Sequence, residues 1–351
     1  MATGSWLFFA ANNGATWGTA KQTNGIATGL RVRSHGLKSE RPKEPAVGPG
    51  VIDPGELIGS LRVVPKTDVT CWWQYNGAVP RILALGNAGD AVTGIGPYEH
   101  SLTPAAVSGL VGRYVTLAWR IIETGGASPT YRYYEVPSAK VEGWTLRGKL
   151  GQPLEITFHL VPSDVVMPAT VNTVLGNVTG PDDDDYQVVT GDFFALAALA
   201  TNPASFSINS FELSCRWGHR GDHVSGTTST TIPEPVDNEP RVCTLRIDRP
   251  RKTDTTLEEY LDAATQVSAQ LNFVGTGNNK LDVYLPKLEA TEHSGSAPSG
   301  NDFIPDGVTF RVLTDFDAQA HLTLRTKMDV DADVYQVDVT NDYSADYDTA
   351  L

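Results

Sequence analysis

Cysteine is scarce in this sequence. The 351 residues include three cysteines, Cys71, Cys215 and Cys243. Their number is odd and no two of them have the CxxC spacing, so the pattern argues against a disulfide framework. It favours a protein that is made in a reducing compartment such as a cytoplasm.

Long apolar runs are also missing. No stretch is long enough to cross a bilayer as a helix. The N-terminal segment MATGSWLFFAANNG has a short apolar patch without a basic region before it, which argues against a secretory signal. We therefore expect a chain without a membrane span.

Positive charge is in deficit. There are 27 Lys and Arg against 41 Asp and Glu, which gives a net charge of −14. A surface that grips nucleic acid or an anionic membrane does so by neutralising phosphates with cations, and this balance argues against one. A surface that DNA passes without binding is compatible with it.

Motifs that carry chemistry are absent too. The sequence contains no P-loop, GxSxG elbow, HExxH or dinucleotide fingerprint. Cys215, His219 and His223 have a spacing that zinc ligands use, but a buried strand cysteine beside two loop histidines explains it better. Residues 329–333 imitate the start of a calcium loop, yet Val334 stands where that loop needs Gly. We expect no cofactor, no metal and no enzymatic activity.

What the chain does have is β-strand patterning, with 33 Gly, 22 Pro and 40% hydrophobic residues. The clearest example is a predicted hairpin over 141–161. Its first arm places Trp144 and Leu146 on one side, and its second arm alternates apolar with polar residues, the apolar ones being Leu154, Ile156, Phe158 and Leu160. Such a hairpin cannot bury its apolar face alone.

The arrangement recurs near the end of the chain. A predicted strand at 307–313, which contains Val308, Phe310 and Val312, is followed by another at 321–326, and we match this pair to the first hairpin. Strands at 114–122 and 268–274 precede the two hairpins. Val136-Pro137 and Leu285-Pro286 also correspond. The pattern predicts an internal duplication with an offset of roughly 150 residues, although chance similarity between β-rich segments would also produce it.

The duplication predicts two domains, 1–185 with an N-terminal arm and 186–351 with an acidic C-terminal extension. The boundary falls in a Pro-, Gly- and Asp-rich stretch. The one predicted helix spans 255–264, with Thr255 and Glu258 as a capping box. The last residues, from 328 on, predict an extra strand and a mobile tail. His100 and His159 are expected to be surface histidines.

Several segments together resemble a known family. They are Thr16–Ala20 (TWGTA), His100–Pro104 (HSLTP), the hairpin Lys140–Val161 and the strand Leu281–Pro286. In this order, and over about two-thirds of the chain, they are similar to the tail tube (major tail) proteins of long-tailed bacteriophages. The aromatic segment Thr70–Tyr75 departs from the Leu-rich helix that the family has there.

The resemblance implies an all-β structural protein with one or two short helices and two tandem tail-tube-type β-sandwich domains. Strands of neighbouring subunits would close a β-barrel on oligomerisation, and stacked rings would form the tube through which the genome leaves. The protein would then be made in the host cytoplasm, reside in the virion tail, and meet tape-measure and tail-terminator proteins. DNA would slide past an acidic lumen without specific binding.

The duplication favours three chains per ring, since three chains supply six domains; without it, six chains are expected. The hairpin residues named above, from Trp144 to Leu160 and from Val308 to Val312, are the predicted barrel-forming elements. The loops 41–55 and 218–240 are predicted to join one ring to the next.

Two other classes of function remain open. A carbohydrate-binding or adhesive β-sandwich would use a sugar platform made of Trp72, Trp73, Trp119 and Trp144. A two-domain hydrolase would use a pair of carboxylates from Glu99, Glu123, Glu135 and Glu155.

Overall fold

The computed structural model describes residues 7–13, 16–20, 28–38, 44–45, 57–58, 66–76, 78–87, 90–104, 111–124, 130–166, 186–198, 204–220, 233–237, 240–249, 255–293, 306–314, 334–344 and 347. These residues form antiparallel strands and two helices. The prediction of an all-β chain with one or two short helices is confirmed. Neither helix of the described part is long and apolar enough to cross a membrane.

The first half contains eleven strands and one helix. In chain order they are β1 (Leu7–Asn13), β2 (Thr28–Leu30), β3 (Val32–His35), β4 (Glu44–Pro45), β5 (Leu57–Ile58), β6 (Thr67–Trp72), α1 (Ala78–Asn87), β7 (Ala91–Thr93), β8 (Tyr98–Leu102), β9 (Arg113–Thr124), β10 (Thr130–Lys149) and β11 (Glu155–Pro162). The predicted hairpin over 141–161 is confirmed as the C-terminal part of β10 with β11.

The second half has the same series of elements with two differences. Its elements are β12 (Phe194–Ala198), β13 (Ala204–Ser205), β14 (Ser210–Arg216), β15 (His219–Arg220), β16 (Val236–Asp237), β17 (Val242–Arg249), α2 (Thr256–Asp262), β18 (Gln266–Val274), β19 (Lys280–His293), β20 (Asp306–Leu313) and β21 (Gln336–Asn341). Among its described residues, no counterparts of β7 and β8 follow the helix, and one further strand, β21, follows the last hairpin.

Strand pairing repeats as well. The first half pairs its strands in the order β2–β1–β9–β10–β11–β6–β3. The second half uses the same order, β13–β12–β18–β19–β20–β17–β14. A short two-stranded ribbon, β4–β5 or β15–β16, follows the equivalent strand in each half. The two halves are therefore repeats of one topology, and we call them the first and second repeat.

Two β-bulges fix the correspondence at the level of single residues. Between Val136 and Ala139, β10 uses one residue more than its partner β9, and β19 does the same against β18 between Leu285 and Leu288. A second extra residue follows after Val141 in β10 and after Ala290 in β19. Both bulge pairs are 149 positions apart. Because bulges re-aim every later side chain, shared bulges are strong evidence of duplication.

The predicted equivalence of the hairpins is wrong by one strand. The strand over 307–313 is β20, which pairs with β19 as β11 pairs with β10. It therefore corresponds to the second arm of the first hairpin rather than to the first arm. Similar alternation in all three strands made them interchangeable in sequence. The segment 321–326 lies outside the described residues.

Two sets of pairings join the repeats. The C-terminal part of β10 pairs with β14, and β21 pairs with both β19 and β8. Buried apolar residues of both halves belong to one contiguous core. The described strands thus form one large, branched antiparallel sheet that is not closed into a barrel. Closure on oligomerisation and a domain division at 185/186 stay predictions, since 167–185 lies outside the described residues.

Helix α1 was not predicted from the sequence. Residues 78–86 of this helix (AVPRILALG) are all buried, and the helix packs against β9 and β10, so it lacks the polar stripe by which an amphipathic helix is recognised. The predicted helix α2 is confirmed, but its capping box is wrong. The hydroxyl of Thr255 bonds the Glu259 carboxylate instead of a backbone N–H.

The C-terminal segment combines a confirmed strand, β21, with a tail in which the described residues Tyr343 and Tyr347 are packed rather than mobile. The rings of Tyr343 and Tyr347 stack with centroids 5.3 Å apart. The Arg81 guanidinium lies 4.4 Å from the Tyr343 ring centroid, and Tyr347 is buried. Aromatic and cation–π contacts outweigh the tail's acidic composition.

Candidate assembly surface

The predicted barrel-forming side chains all lie in the core of the chain. Trp144 is opposite Phe158 and Leu146 is opposite Ile156 in the β10–β11 ladder. The full set is buried: Trp144, Leu146, Leu154, Ile156, Phe158, Leu160, Val308, Phe310 and Val312. These side chains hold the repeats together internally. That their strands take part in assembly stays a prediction.

The opposite face of the same strands is polar, because successive side chains of a strand point to opposite sides. We call it the polar sheet face. It runs across β6, β11, β10, β14 and β17 and carries hydroxyls at one end and charges at the other: Asp68, Thr70, Thr157, His159, Thr145, Ser214, Arg147, Glu155, Glu212, Arg246 and Asp248.

A hydrogen-bonded row crosses four strands of this face. The Nδ1 atom of His159 lies 2.6 Å from Asp68 Oδ1, and its Nε2 atom lies 2.9 Å from Thr145 Oγ1. The Thr145 hydroxyl in turn lies 3.0 Å from Ser214 Oγ. Burial lowers the pKa of His159, and hydrogen bonding and charge from Asp68 oppose this. The sequence showed no acidic partner for His159, because Asp68 lies on β6, 91 positions away along the chain.

This row has the bonding order of a carboxylate, a histidine and a hydroxyl nucleophile, but its surroundings do not suit catalysis. Thr145 is 2% exposed and sits in the middle of a strand that is paired on both edges. Its hydroxyl already bonds Ser214. A nucleophile needs room for a substrate and for oxyanion donors. The row is better explained as satisfaction of polar groups that the sheet buries.

The charged end of the polar sheet face is organised in ion pairs. Arg147 Nε lies 2.7 Å from Glu212 Oε2, and Arg246 Nη2 lies 3.3 Å from Asp248 Oδ1. Arg33 of β3 pairs with Glu155 of β11. Five of these residues line a shallow depression of about 340 Å³. Lys149 and Arg216 lie on the same face, so that its described part has five cations against four anions and is nearly balanced in charge. It therefore offers little excess of positive charge to a polyanion.

Among the described residues, two strand edges are open where the counterpart in the other repeat is paired. β3 pairs with β6 along one edge only, whereas its counterpart β14 is paired on both edges. The second open edge belongs to β19, whose partner β18 ends opposite Glu289, so that Ala290–His293 extend beyond it. The equivalent overhang of β10 is covered by β14.

The histidines predicted to be on the surface are both buried. His100 is 0% exposed, with Nδ1 at 3.0 Å from Asp90 Oδ2 and Nε2 at 2.7 Å from the Tyr343 carbonyl oxygen. His159 is buried in the row described above. Each histidine has a hydrogen-bond partner that is remote in sequence, Tyr343 for His100 and Asp68 for His159. The local sequence alone therefore suggested that both side chains are exposed to solvent.

The weak metal candidates gain no support. Cys215 and His219 are buried, while His223 and the segment 329–333 lie outside the described residues. No group of three or more potential ligands occurs within the described part of the chain.

The residues of the two rival functions are dispersed. Trp73, Trp119 and Trp144 are buried, and the Trp72 ring packs against Tyr186 with centroids 5.9 Å apart. Among the carboxylates, Glu99, Glu135 and Glu155 lie on β8, β10 and β11, and the side chain of Glu123 is outside the described set.

A different carboxylate is perturbed. Burial raises the pKa of Asp338 to about 7, and Glu99 and Asp282 add to this by repulsion, while hydrogen bonds from Gln336 and Ser101 oppose it. Asp338 lies on β21, directly opposite Asp282 on one side and Ser101 on the other. It therefore belongs to a joint between the repeats. Periodicity alone did not reveal it, because β21 has polar residues at positions that are buried on both faces.

No protein-family model matches this sequence, and no curated protein is significantly similar to it.

Proposed function

We propose that this protein is a structural subunit that assembles into rings and that the rings stack into the hollow tail tube of a long-tailed bacteriophage. It has no enzymatic reaction in this proposal. The observation that carries it is the pair of open strand edges on a duplicated fold. An exposed edge is a template for pairing with another chain, and assembly satisfies it.

The duplication supports three chains per ring. Each chain would supply two equivalent repeats, so a trimer would have six repeats around its axis. A contact that joins different edges of identical chains is heterologous, and it forms a closed ring when its rotation closes. Six chains per ring would place twelve repeats in one ring, which the duplication makes unnecessary.

The polar sheet face supports a role beside DNA. Its ion pairs leave few unpaired cations to hold phosphates, so a nucleic acid would pass along such a surface without stable contacts. If this face lines the lumen, the lumen surface is nearly neutral there, whereas the net charge of the chain alone predicts an acidic lumen. The genome, the tape-measure protein and the tail terminator are the partners in this proposal.

Strand β4 lies in the first loop proposed for ring-to-ring contact, 41–55, and its partner β5 directly follows that loop, while the ribbon β15–β16 lies in the second loop, 218–240. The two ribbons occupy equivalent places in the two repeats, between β3 and β6 and between β14 and β17. In a ring of three chains, six such ribbons would be arranged around the axis. This repetition is what an interface between stacked rings needs.

The test is assembly of the purified protein. Mass photometry gives the starting mass, and negative-stain electron microscopy follows samples incubated at rising concentration and temperature. We expect rings or hollow tubes, with end-on views that show three chains. A protein that stays monomeric under all conditions would contradict the proposal, and glycan screening would then test the adhesive alternative.

A further inference from the structure

We propose that Cys215 and Cys243 form a reversible disulfide between β14 and β17. The two residues lie directly opposite each other in the antiparallel ladder of the second repeat. Both are free thiols in this structure, and both are buried. The odd cysteine count argued against a disulfide framework, but the strand register brings two of the three cysteines together. This inference does not depend on the assembly proposed above.

The direction of the backbone groups shows which kind of cross-strand pair this is. Trp217 donates its N–H to the Glu142 carbonyl oxygen at 2.6 Å, so this N–H points toward β10. Because the backbone groups of a strand alternate in direction, those of Cys215, two residues earlier, also point toward β10 and away from β17. Cys215 and Cys243 are therefore a pair without mutual backbone hydrogen bonds, the kind in which opposed Cα atoms are closest.

A pair of this kind has the dimensions that a disulfide needs. Its Cα atoms are about 4.5 Å apart, and its Cβ atoms lie toward the lower end of about 4.5–5.5 Å. A disulfide joins Cα atoms at about 4.4–6.8 Å and Cβ atoms at about 3.5–4.5 Å. The strands are thus close enough for the bond, at the limit of its preferred geometry. A bond at that limit is more easily reduced, which makes the modification reversible.

The two side chains meet in the core. Cys215 is 0% exposed and Cys243 is 2% exposed, and the two thiols are hydrogen-bonded to each other. Trp144 of β10 lies opposite Cys215 on the other side of β14, and its Nε1 atom donates to the Tyr335 hydroxyl at 3.3 Å. This burial limits access to a small uncharged oxidant. We take hydrogen peroxide as that oxidant.

One peroxide molecule oxidises one pair of thiols. One cysteine, as its thiolate, attacks a peroxide oxygen and the O–O bond breaks, which gives a sulfenic acid and, after protonation, water. The second thiol attacks the sulfenic sulfur, so that the S–S bond forms, the S–O bond breaks and a second water leaves. The two thiols lose two electrons and two protons in total, and the peroxide takes them up as it becomes two water molecules.

The surroundings of the pair make this reaction slow in the folded chain. Burial raises the pKa of the Cys215 thiol, and the hydrogen bond and charge of Cys243 add to this, while Arg241 opposes it. The thiolate is the reactive form, so few of the thiols react at any moment. The pair therefore stays reduced in a compartment that holds thiol reductants and becomes oxidised on long exposure outside it.

The disulfide would reinforce the joint between the repeats. β14 is the strand of the second repeat that pairs with β10 of the first, and β17 lies on its other edge. A covalent bond from β14 to β17 closes a loop in the chain and lowers the entropy of the unfolded state. Oxidation should therefore stabilise the strand on which the joint depends.

The first experiment counts thiols in the wild-type chain. Folded protein is incubated with hydrogen peroxide, treated with catalase, and then unfolded with an alkylating reagent and no reductant. We expect mass spectrometry to show a fall from three free thiols to one, and dithiothreitol to restore all three. Trypsin cleaves after Arg216 and Arg241, so Cys215 and Cys243 fall in different peptides, and these should be found joined.

Cys71 is the internal control for this experiment. Burial raises its pKa to about 12, so it resembles the pair in its surroundings. Apolar residues lie opposite it in both ladders, Ile156 on β11 and Val32 on β3. Cys71 should therefore be the thiol that remains free after oxidation.

Two variants serve as matched controls, Cys215→Ala and Cys243→Ala. Each removes one thiol of the pair, so each should keep two free thiols under the same treatment. The oxidised wild type should melt about 5 °C higher than the reduced wild type. Neither variant should show this difference. Equal melting temperatures of oxidised and reduced wild type would contradict the reinforcement of the joint.

The outcomes decide the disulfide without bearing on assembly. Selective linkage of Cys215 to Cys243 in the folded chain would support it. Three free thiols after an exposure that oxidises the urea-unfolded chain would overturn it, as would linkage of Cys71 to either partner or separate oxidation of the two thiols to acids. The tube proposal would stand in each of these cases, because its test is the formation of rings.

Discussion

The two repeats build the end of their central hairpin from opposite chemistry at equivalent positions. In the first repeat Trp144, Ile156 and Cys71 are buried and apolar. Their counterparts in the second repeat are His293, Asp306 and Arg249. The Nε2 atom of His293 lies 2.9 Å from Asp306 Oδ1, and Arg249 forms an ion pair with the same carboxylate.

This difference shows that strand pairing, rather than side-chain type, is what the duplication retained. Both repeats have the same strand order and the same two bulges. A buried ion pair with good geometry can replace well-packed apolar residues at little net change in stability. The apolar end is the one that β14 covers, and the ionic end is the one whose edge no strand of the described residues covers.

Breaking the ionic trio should have the largest effect. Asp306→Ala leaves the buried guanidinium of Arg249 without its counter-charge, which should cost about 3–5 kcal/mol of unfolding free energy. Chemical denaturation measures this. The matched control places the three equivalent residues of the first repeat in the second repeat, as the triple variant Arg249→Cys, Asp306→Ile and His293→Trp. We expect the triple variant to recover most of the loss, and a triple variant as unstable as Asp306→Ala would refute the equivalence of the two sites.

The joint between β10 and β14 should be the next most sensitive. Gly143→Ala forces the added carbon against backbone atoms of Cys215 and Arg216, so we expect a loss of about 1–3 kcal/mol. In Gly148→Ala the added carbon meets only the Phe211 ring, and a side chain adjusts at smaller cost. Thermal unfolding of both variants tests this. Equal losses would indicate that backbone contact is not what limits this joint.

The joint made by β21 should depend on pH. The Asp338 carboxyl has a pKa of about 7 in the folded chain and 3.8 as its ordinary value. Between these values the unfolded chain releases a proton that the folded chain keeps, so stability falls as the pH rises from about 4 to 7. Asp338→Asn should flatten this slope and add on the order of 1–2 kcal/mol at pH 8.

Denaturation at pH 4, 6 and 8 measures the effect. Asp342→Asn, a substitution just beyond β21, serves as the control for removal of one negative charge. An unchanged slope in Asp338→Asn would show that this carboxyl is ionised in the folded protein at neutral pH.

The smallest effect concerns the N-terminus of helix α2 in the second repeat. Thr255 precedes α2, but its hydroxyl bonds the Glu259 side chain and no backbone N–H. Thr255→Ala should therefore cost less than about 0.5 kcal/mol, whereas loss of a true capping hydroxyl costs about 1 kcal/mol. Denaturant unfolding of this variant against wild type decides between the two.

Several strands and turns of this fold could be predicted from local sequence patterns. Alternation over 154–160 located β11, the Gly and Pro residues after Gly148 located its turn, and Val136-Pro137 with Leu285-Pro286 marked the positions of the first bulge in each repeat. These signals are readable because a strand with one buried face repeats every two residues. Helix α1 was missed because burial on every side removes that kind of signal.

The sequence by itself determined that this is an all-β chain with a duplicated plan, since period, turn residues and paired prolines are local properties. Only the tertiary structure decided that the hairpin side chains form an internal core, that His159 meets Asp68 and Thr145, and that no strand of the described part of the chain covers the outer edges of β3 and of the β19 end. Those facts depend on which strand lies beside which. Strand neighbours are chosen by packing over more than a hundred residues, and no local pattern encodes that choice.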